Sequence, residues 1–403
     1  MISTLLACAL SLQTTSPGAS PASAPPADWR AAEAGTLHGH VQLTFADRFA
    51  KAGEAYFSPD DQRIVFQAVE KLADGSEPPP HYAMYVADVV RNAAGAIGSI
   101  ANIRRVSPPG SANTCGWFDP RDPMTLLFAS TIGPPTEGQA PGYQRGTGRY
   151  RWMFPPEMRI LMCDLKKADG SSQWQDSLTP LVGDGKAYVA EGSTSPDGKW
   201  LLYCDLAHGD GDIWVLNREN GVKTALVSAP GYDGGPFFAP DGRRICYRSD
   251  RSANNILQLY VADLAFDATG HIVGIAQEHQ VTRDSNVNWC PFFHPSGAFL
   301  VFASSAMGHR NYEVFAVDAG VADRDGVPQP RYGTNLRRVT HADGADVLPV
   351  FSHDGRWMLW TGQRDEGATS QLYVAEWKMP PDPVIAPPTS RPTAGGSASR
   401  RPD

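Results

Sequence analysis

The chain has 403 residues, of which 42% are hydrophobic and 10% aromatic, enough for a large packed core, while only 19% are charged. A formal charge of −8 argues against a nucleic-acid or anionic-membrane partner, since such partners are held by basic surfaces. Gly and Pro are frequent, 39 and 34 residues, as expected of many short strands joined by turns.

Met1 to Leu12 is an apolar run, followed by Ser, Thr, Pro and Ala up to Ala27. That order resembles a secretory signal over residues 1–24. Within it, Leu5-Leu6-Ala7-Cys8 reads as a lipoprotein processing box, with Cys8 as the point of lipid attachment. No later segment approaches the roughly 18 apolar residues a membrane span needs. The expectation is an exported protein, periplasmic or extracellular. Residues 25–37 are Pro/Ala-rich without periodicity and are expected to form a disordered linker.

From residue 38 one phrase recurs: an apolar strand, a turn built on Pro, Asp or Gly, and a second apolar strand. Its six copies are Ala55-Tyr-Phe-Ser-Pro-Asp60, Gly116-Trp-Phe-Asp-Pro120, Ser193-Thr-Ser-Pro-Asp-Gly198, Pro236-Phe-Phe-Ala-Pro-Asp-Gly242, Pro291-Phe-Phe-His-Pro-Ser-Gly297 and Pro349-Val-Phe-Ser-His-Asp-Gly355. Pro presets the first corner, Asp bonds its own backbone, and Gly accepts positive φ. A third and a fourth strand follow each phrase. Four strands per repeat make one propeller blade, and repeats at this spacing mark an array. The fold class is therefore all-β, a six-bladed β-propeller over residues 38–379.

The sixth repeat lacks a fourth strand after Trp377, because Met379-Pro-Pro-Asp-Pro383 cannot serve an interior ladder. His40-Val-Gln-Leu-Thr44 has the fourth-strand pattern and is expected to close the last blade. Closure removes an exposed edge. The second repeat carries an insertion, residues 132–157, a length that usually signals function or disorder. Residues 380–403 are Pro/Ser/Arg-rich and read as a disordered tail.

These repeats resemble those of the TolB-like propeller family, whose blades carry Pro-x-Phe/Trp-Ser-Pro-Asp-Gly-x-x-Ile-x-Phe-x-Ser-x-Arg. Pro236 to Arg251 and Pro349 to Arg364 are the nearest copies. The resemblance covers residues 38–379 and implies the fold of exported bacterial propellers, but fold alone does not carry function. TolB itself is an envelope scaffold with an additional N-terminal α/β domain that binds a peptidoglycan-associated lipoprotein. Only a short linker stands in that place here, so that partner is not expected to carry over.

Chemistry is sparse. The chain has no G-x-S-x-G elbow, no H-E-x-x-H and no phosphate loop, which argues against those enzyme classes. The turn aspartates, with His294 and His353, read as structural. Asp210-Gly-Asp212 beside His208 is a candidate calcium loop, though it lacks the EF-hand spacing; no other cofactor is expected. Of the six cysteines, Cys115, Cys163, Cys204, Cys246 and Cys290 form no CxxC and read as small buried hydrophobes. Cys115 and Cys290 occupy matching places in different repeats.

If the Asp/Gly turns occupy one face, the loops entering each first strand occupy the other. There the candidates for ligand binding are Tyr232, Asp233, Arg251, Asn288, Trp289, His309, Arg310, His341, Asp346 and Arg364, with Arg149, Arg151 and Trp152 of the insertion projecting over them. Arg forks and aromatic faces suit a protein, peptide or glycan ligand. The expected role is a non-catalytic binding or scaffold propeller of the cell envelope, monomeric and without a transmembrane segment. The alternative is a propeller enzyme, a glycan lyase or hydrolase. It would require His341, His309 and an acid such as Asp233 or Asp346 to converge.

Overall fold

A computed structural model describes residues 28–78, 80–136, 142–144, 149–151, 155–168, 174–252, 254–320, 331–364 and 368–378. Six four-stranded antiparallel sheets form the blades of a β-propeller. The innermost strands are Phe49–Phe57, Asn113–Asp119, Val189–Thr194, Asp233–Phe238, Asn288–Phe293 and Asp346–Phe351, in blades 1 to 6. Blades 1 to 5 add their strands outward in chain order, with blade 2 spanning the insertion. Within the insertion Gly142–Gln144 pairs with Arg149–Arg151 as a small hairpin.

Turn chemistry follows the repeat phrase. In blade 3 Ser195 Oγ donates to Asp197 Oδ1, which also accepts from Lys199 N at 3.0 Å. Blade 6 repeats this with Ser352, Asp354 and Arg356 N at 2.9 Å. The turn aspartates are thus occupied in shaping backbone, as their recurrence suggested.

The ring closes as expected. Leu37–Gln42 pairs antiparallel with Gln371–Trp377, with Leu37 opposite Trp377 and Gln42 opposite Tyr373. Leu43 N then donates to Leu372 O at 2.8 Å. The closing strand begins three residues earlier than the sequence pattern placed it. Residues ahead of it correct the linker expectation: from residue 28 the chain is ordered, with a short helix Trp29–Glu33 capped by Asp28.

That helix fastens the seam. Arg364 Nη1 and Nη2 donate to the Glu33 carboxylate at 3.0 and 3.1 Å, and its Nε and Nη2 reach Asp346 at 3.1 and 2.8 Å. The guanidinium carbon lies 4.2 Å from the Trp29 ring centroid and 4.7 Å from that of Trp360. Glu33 also meets His40 Nε2 at 2.7 Å and His341 N at 2.7 Å. On the turn side Asp61 clasps the same seam, accepting from His353 N at 2.8 Å and Asp354 N at 3.1 Å.

Blades bury their faces against one another through aromatic layers. Between blades 5 and 6, His294 stacks on Phe299 at 4.5 Å and meets the Phe351 ring edge-on at 4.7 Å. Its Nδ1 accepts from Ser296 N at 3.1 Å, so the neutral ring can donate from Nε2 to Gly355 O at 3.4 Å. Burial holds its pKa down to about 4.

Two outcomes test this architecture. Arg364→Met leaves Glu33 and Asp346 buried without their cation, and should cost about 3–5 kcal/mol in denaturant melts; a loss below about 1 kcal/mol would deny the latch its role. His294 has a folded pKa of about 4, below the ordinary value of about 6.5. The folded state therefore binds fewer protons between those values, and its stability falls as pH drops from 6.5 towards 4. Relative to His294→Gln, the wild type should lose up to about 3 kcal/mol over that window, measured by urea melts at several pH values.

Candidate functional site

Every inner strand departs from regular pairing at one equivalent place, and those of blades 1 and 2 slip once more near a strand end. The ladder to its neighbour slips between Gly53 and Ala55, Thr114 and Trp117, Ala190 and Ser193, Gly234 and Phe237, Trp289 and Phe292, and Val347 and Val350. At each slip one residue is left-handed: Glu54 at φ 42°, Cys115 at 54°, Glu191 at 59°, Gly235 at 60°, Cys290 at 47° and Leu348 at 55°. A β-bulge of this kind re-aims a side chain. For residues other than Gly, the conformation costs about 1–3 kcal/mol each. Five of six blades carry that strain, and all six bulge residues line one central cavity.

Two residues further on, each strand contributes to a second layer. Tyr56, Trp117, Phe237 and Phe292 make all six possible ring contacts, with centroids 5.2 to 6.5 Å apart. Blade 1 faces blade 4 and blade 2 faces blade 5 in a six-membered ring, so these contacts cross the axis and plug the bore. Ser193 is small, and Trp117 Nε1 donates to its neighbour Thr194 Oγ1 at 3.0 Å.

Beyond the plug, away from the Asp/Gly turns, the cavity measures 810 Å³. It is a cup with an aromatic floor. Tyr82, Tyr188, Tyr232 and Trp289 stand in its wall, and Pro155, at the C-terminal end of the insertion, is also on it. Such a volume lies in the range of small-ligand sites.

Two carboxylates enter the cup from the bulges. Glu191 accepts from Tyr232 OH and Arg248 Nη2, both at 2.6 Å, and from Gly235 N. Glu54 accepts from Thr114 Oγ1 at 3.1 Å and Tyr56 OH at 3.3 Å. Burial raises the Glu54 pKa, the Glu191 charge adds to this, and hydrogen bonds from Cys115 and Thr114 oppose it. Near the mouth Lys51 Nζ lies 4.3 Å from the Tyr82 ring centroid, and burial lowers its pKa. Burial pushes the thiols of Cys115 and Cys290 up, Cys290 to about 12, so both remain protonated. The five described cysteines are free.

Of the residues singled out in the sequence, Tyr232 and Trp289 line the cup. The others do not. Arg364 and Asp346 form the seam latch, 4% and 1% exposed, so their Arg and carboxylate groups serve closure instead of a ligand. His341 joins the same latch through its backbone. Asp233 is fully buried, accepts from Ala229 N at 2.8 Å and faces Arg251 Nη2 at 3.6 Å; burial raises its pKa to about 6. Arg251 is committed to Glu278 and lies over the Tyr260 ring at 4.1 Å. Asn288 donates to Asp284 Oδ1 at 3.0 Å beneath the surface. His309 and Arg310 are exposed, with His309 Nδ1 3.4 Å from Tyr312 OH.

Arg149 and Arg151 belong to the insertion hairpin; their side chains, and Trp152 altogether, lie outside the described residues. His341 and Asp346 are drawn together by the latch, whereas His309 and Asp233 are engaged elsewhere, and none of the four lines the cup. The convergence an enzyme would require is not formed by them. Among the described residues no three His, Cys, Asp or Glu side chains group to hold a metal ion. In the candidate calcium loop Asp210 accepts from Gly231 N at 3.2 Å, while Asp212 is buried in its strand.

Sequence reasoning missed Glu54, Glu191, Arg248 and Lys51. The usable signal was the matching place of Cys115 and Cys290, which extended to all six repeats picks out Glu54, Glu191, Gly235 and Leu348 two residues before the first aromatic position.

No protein-family model matches the chain. An uncharacterized protein of Agrobacterium fabrum is 31% identical over 110 residues, 27% of this chain and 34% of its own. The Tol-Pal system protein TolB of Wolinella succinogenes is 25% identical over 198 residues, 48% of this chain and 40% of its own. The chain thus spans 34% and 40% of the lengths of these curated relatives. Among solved structures, TolB from Acinetobacter baumannii is similar with a TM-score of 0.49 and 15% identity, over 79% of this chain and 64% of that one.

The bulge at Gly235 has a direct test. A Cβ there would overlap the Arg248 guanidinium in a left-handed backbone that disfavours it. Gly235→Ala should displace Arg248 from Glu191 and lower stability by about 1–3 kcal/mol in a denaturant melt; an unchanged midpoint would refute this packing.

Proposed function

We propose that this six-bladed β-propeller, whose repeats resemble those of TolB, is a non-catalytic binding propeller of the bacterial cell envelope whose ligand enters the central cup. The fold supports a binding or scaffold role. The observation that carries the finer reading is the cup itself: a blind cavity of 810 Å³, walled by all six blades at their bulges, five of them strained. Strain of that kind concentrates at functional sites, and a plugged bore offers a place to lodge instead of a passage.

The ligand class is a peptide, a segment of an envelope protein, or a glycan. Aromatic walls and a few placed polar groups suit each of these. Envelope location is inferred from the relatives named TolB and from the apolar start Met1 to Leu12. Among the described residues no helix is long and apolar enough to cross a membrane. Lipid attachment at Cys8 would tether the propeller to a membrane surface; Cys8 lies outside the described residues. With Pro155 on the cup wall, the insertion 132–157 is proposed to border the mouth and take part in recognition through Arg149, Arg151 and Trp152.

A blocking variant tests the reading. Thr114 lines the cup, and Thr114→Trp should fill part of it. In thermal melts against a panel of envelope peptides and oligosaccharides, a ligand at about 100 times its Kd should stabilise the wild type by about 2.7 kcal/mol. The same ligand should leave Thr114→Trp unmoved. Equal stabilisation of both proteins would place the binding site elsewhere.

A further inference from the structure

The ring of bulge residues at the foot of the cup is electrically uneven. Of its six members only Glu54 and Glu191 can carry charge near neutral pH, and Glu191 is paired with Arg248 at 2.6 Å. Glu54 is 9% exposed, and its donors, the Thr114 and Tyr56 hydroxyls and the Cys115 thiol, are neutral. Among the described residues it forms no salt bridge. A buried carboxylate without a cation is costly unless something supplies one, and the space beside Glu54 is open cavity.

We propose that the cup takes a ligand end-on, with a primary ammonium group seated against Glu54 and an apolar body along the aromatic wall. Aromatic faces attract an ammonium through their negative π-clouds, and Tyr82, Tyr188 and Tyr232 stand in the wall above Glu54. Among the described residues, the two cations that line the cup do not satisfy Glu54. Arg248 is spent on Glu191 and Tyr232, and Lys51, three residues earlier on the same strand, rests over the Tyr82 ring. A lysine side chain or the amino terminus of a peptide has the required chemistry, whereas a leading carboxylate would meet Glu54 as a like charge.

This inference rests on the cup being the ligand site, and the test separates the two. Phenethylamine, 2-phenylethanol and 3-phenylpropionate share one ring and two methylenes and differ in the charge they present. Their affinities for the full chain are measured by ligand-observed NMR at pH 8. The amine is expected to bind about tenfold or more tighter than the alcohol, with the acid weakest. Glu54→Gln, an uncharged carboxamide near-isostere, should bring amine and alcohol to about equal affinity, and Thr114→Trp should abolish binding of all three. Should Glu54→Gln fail to fold, the order among the three probes on the wild type decides alone. Alcohol or acid binding as tightly as the amine overturns the ammonium inference and leaves the cup as a ligand site. Binding of none of the probes, or undiminished binding to Thr114→Trp, overturns both.

Discussion

A ring of six sheets has one seam, and the whole body depends on that seam staying shut. Here the first and last strands of the propeller meet in a single blade, where Leu37–Gln42 completes the ladder begun by Asp346–Phe351. Backbone pairing alone is the same as in any other blade, so it gives the seam no advantage over its neighbours. What distinguishes the seam is the buried Glu33–Arg364–Asp346 ion set. Two carboxylates share one guanidinium, which is itself held between the rings of Trp29 and Trp360. Buried ion pairs are poor sources of net stability but punish the loss of a partner. Such a contact ties the order of the N-terminal helix to correct closure of the ring.

Closure in turn makes the layered axis meaningful. With the ring shut, the two residues that straddle each bulge point into the same narrow space at different depths. The aromatic layer of Tyr56, Trp117, Phe237 and Phe292 fills one depth, and Glu54, Cys115, Glu191, Gly235, Cys290 and Leu348 surround the other. A regular strand already sets residues two apart on one face, and the left-handed residue at each bulge re-aims its side chain towards the cup. The cost is a left-handed backbone at five positions that are not glycine. It is met by the rigidity of the surrounding ladders.

The blades were readable in the sequence because their turns are local chemistry: Ser58, Asp60, Ser195, Asp197, Ser352 and Asp354 must bond their own backbone wherever the phrase occurs. The closing strand was readable because it repeats a pattern missing at the other end. The latch was not. Its helix has only five residues amid Pro and Ala, too short to show a period, and Glu33 meets Arg364 across 331 positions. Arg364 and Asp346 therefore looked like loop residues awaiting a ligand. The cup was half-readable. Tyr232 and Trp289 stood out as aromatics in loops, but Glu54 and Glu191 lie inside strands, where the repeat phrase does not mark the bulge that opens onto the axis.

The two glutamates show how one repeat position acquires chemistry that the fold does not demand. The same left-handed place holds a thiol, a glycine or a leucine in other blades, so backbone geometry tolerates any of them. Glu191 comes with its own answer, since Arg248 rises from the adjacent strand of the next blade and Gly235, lacking a Cβ, leaves room for the guanidinium. Among the described residues Glu54 has no such answer, only the hydroxyls of Tyr56 and Thr114 and the thiol of Cys115. Burial drives it towards the neutral form, whereas a cation brought into the cup would hold it ionised. A leucine at that position would relieve the desolvation at no cost to the ring. Folding alone therefore gives no reason for a carboxylate there; recognition of a positively charged visitor does.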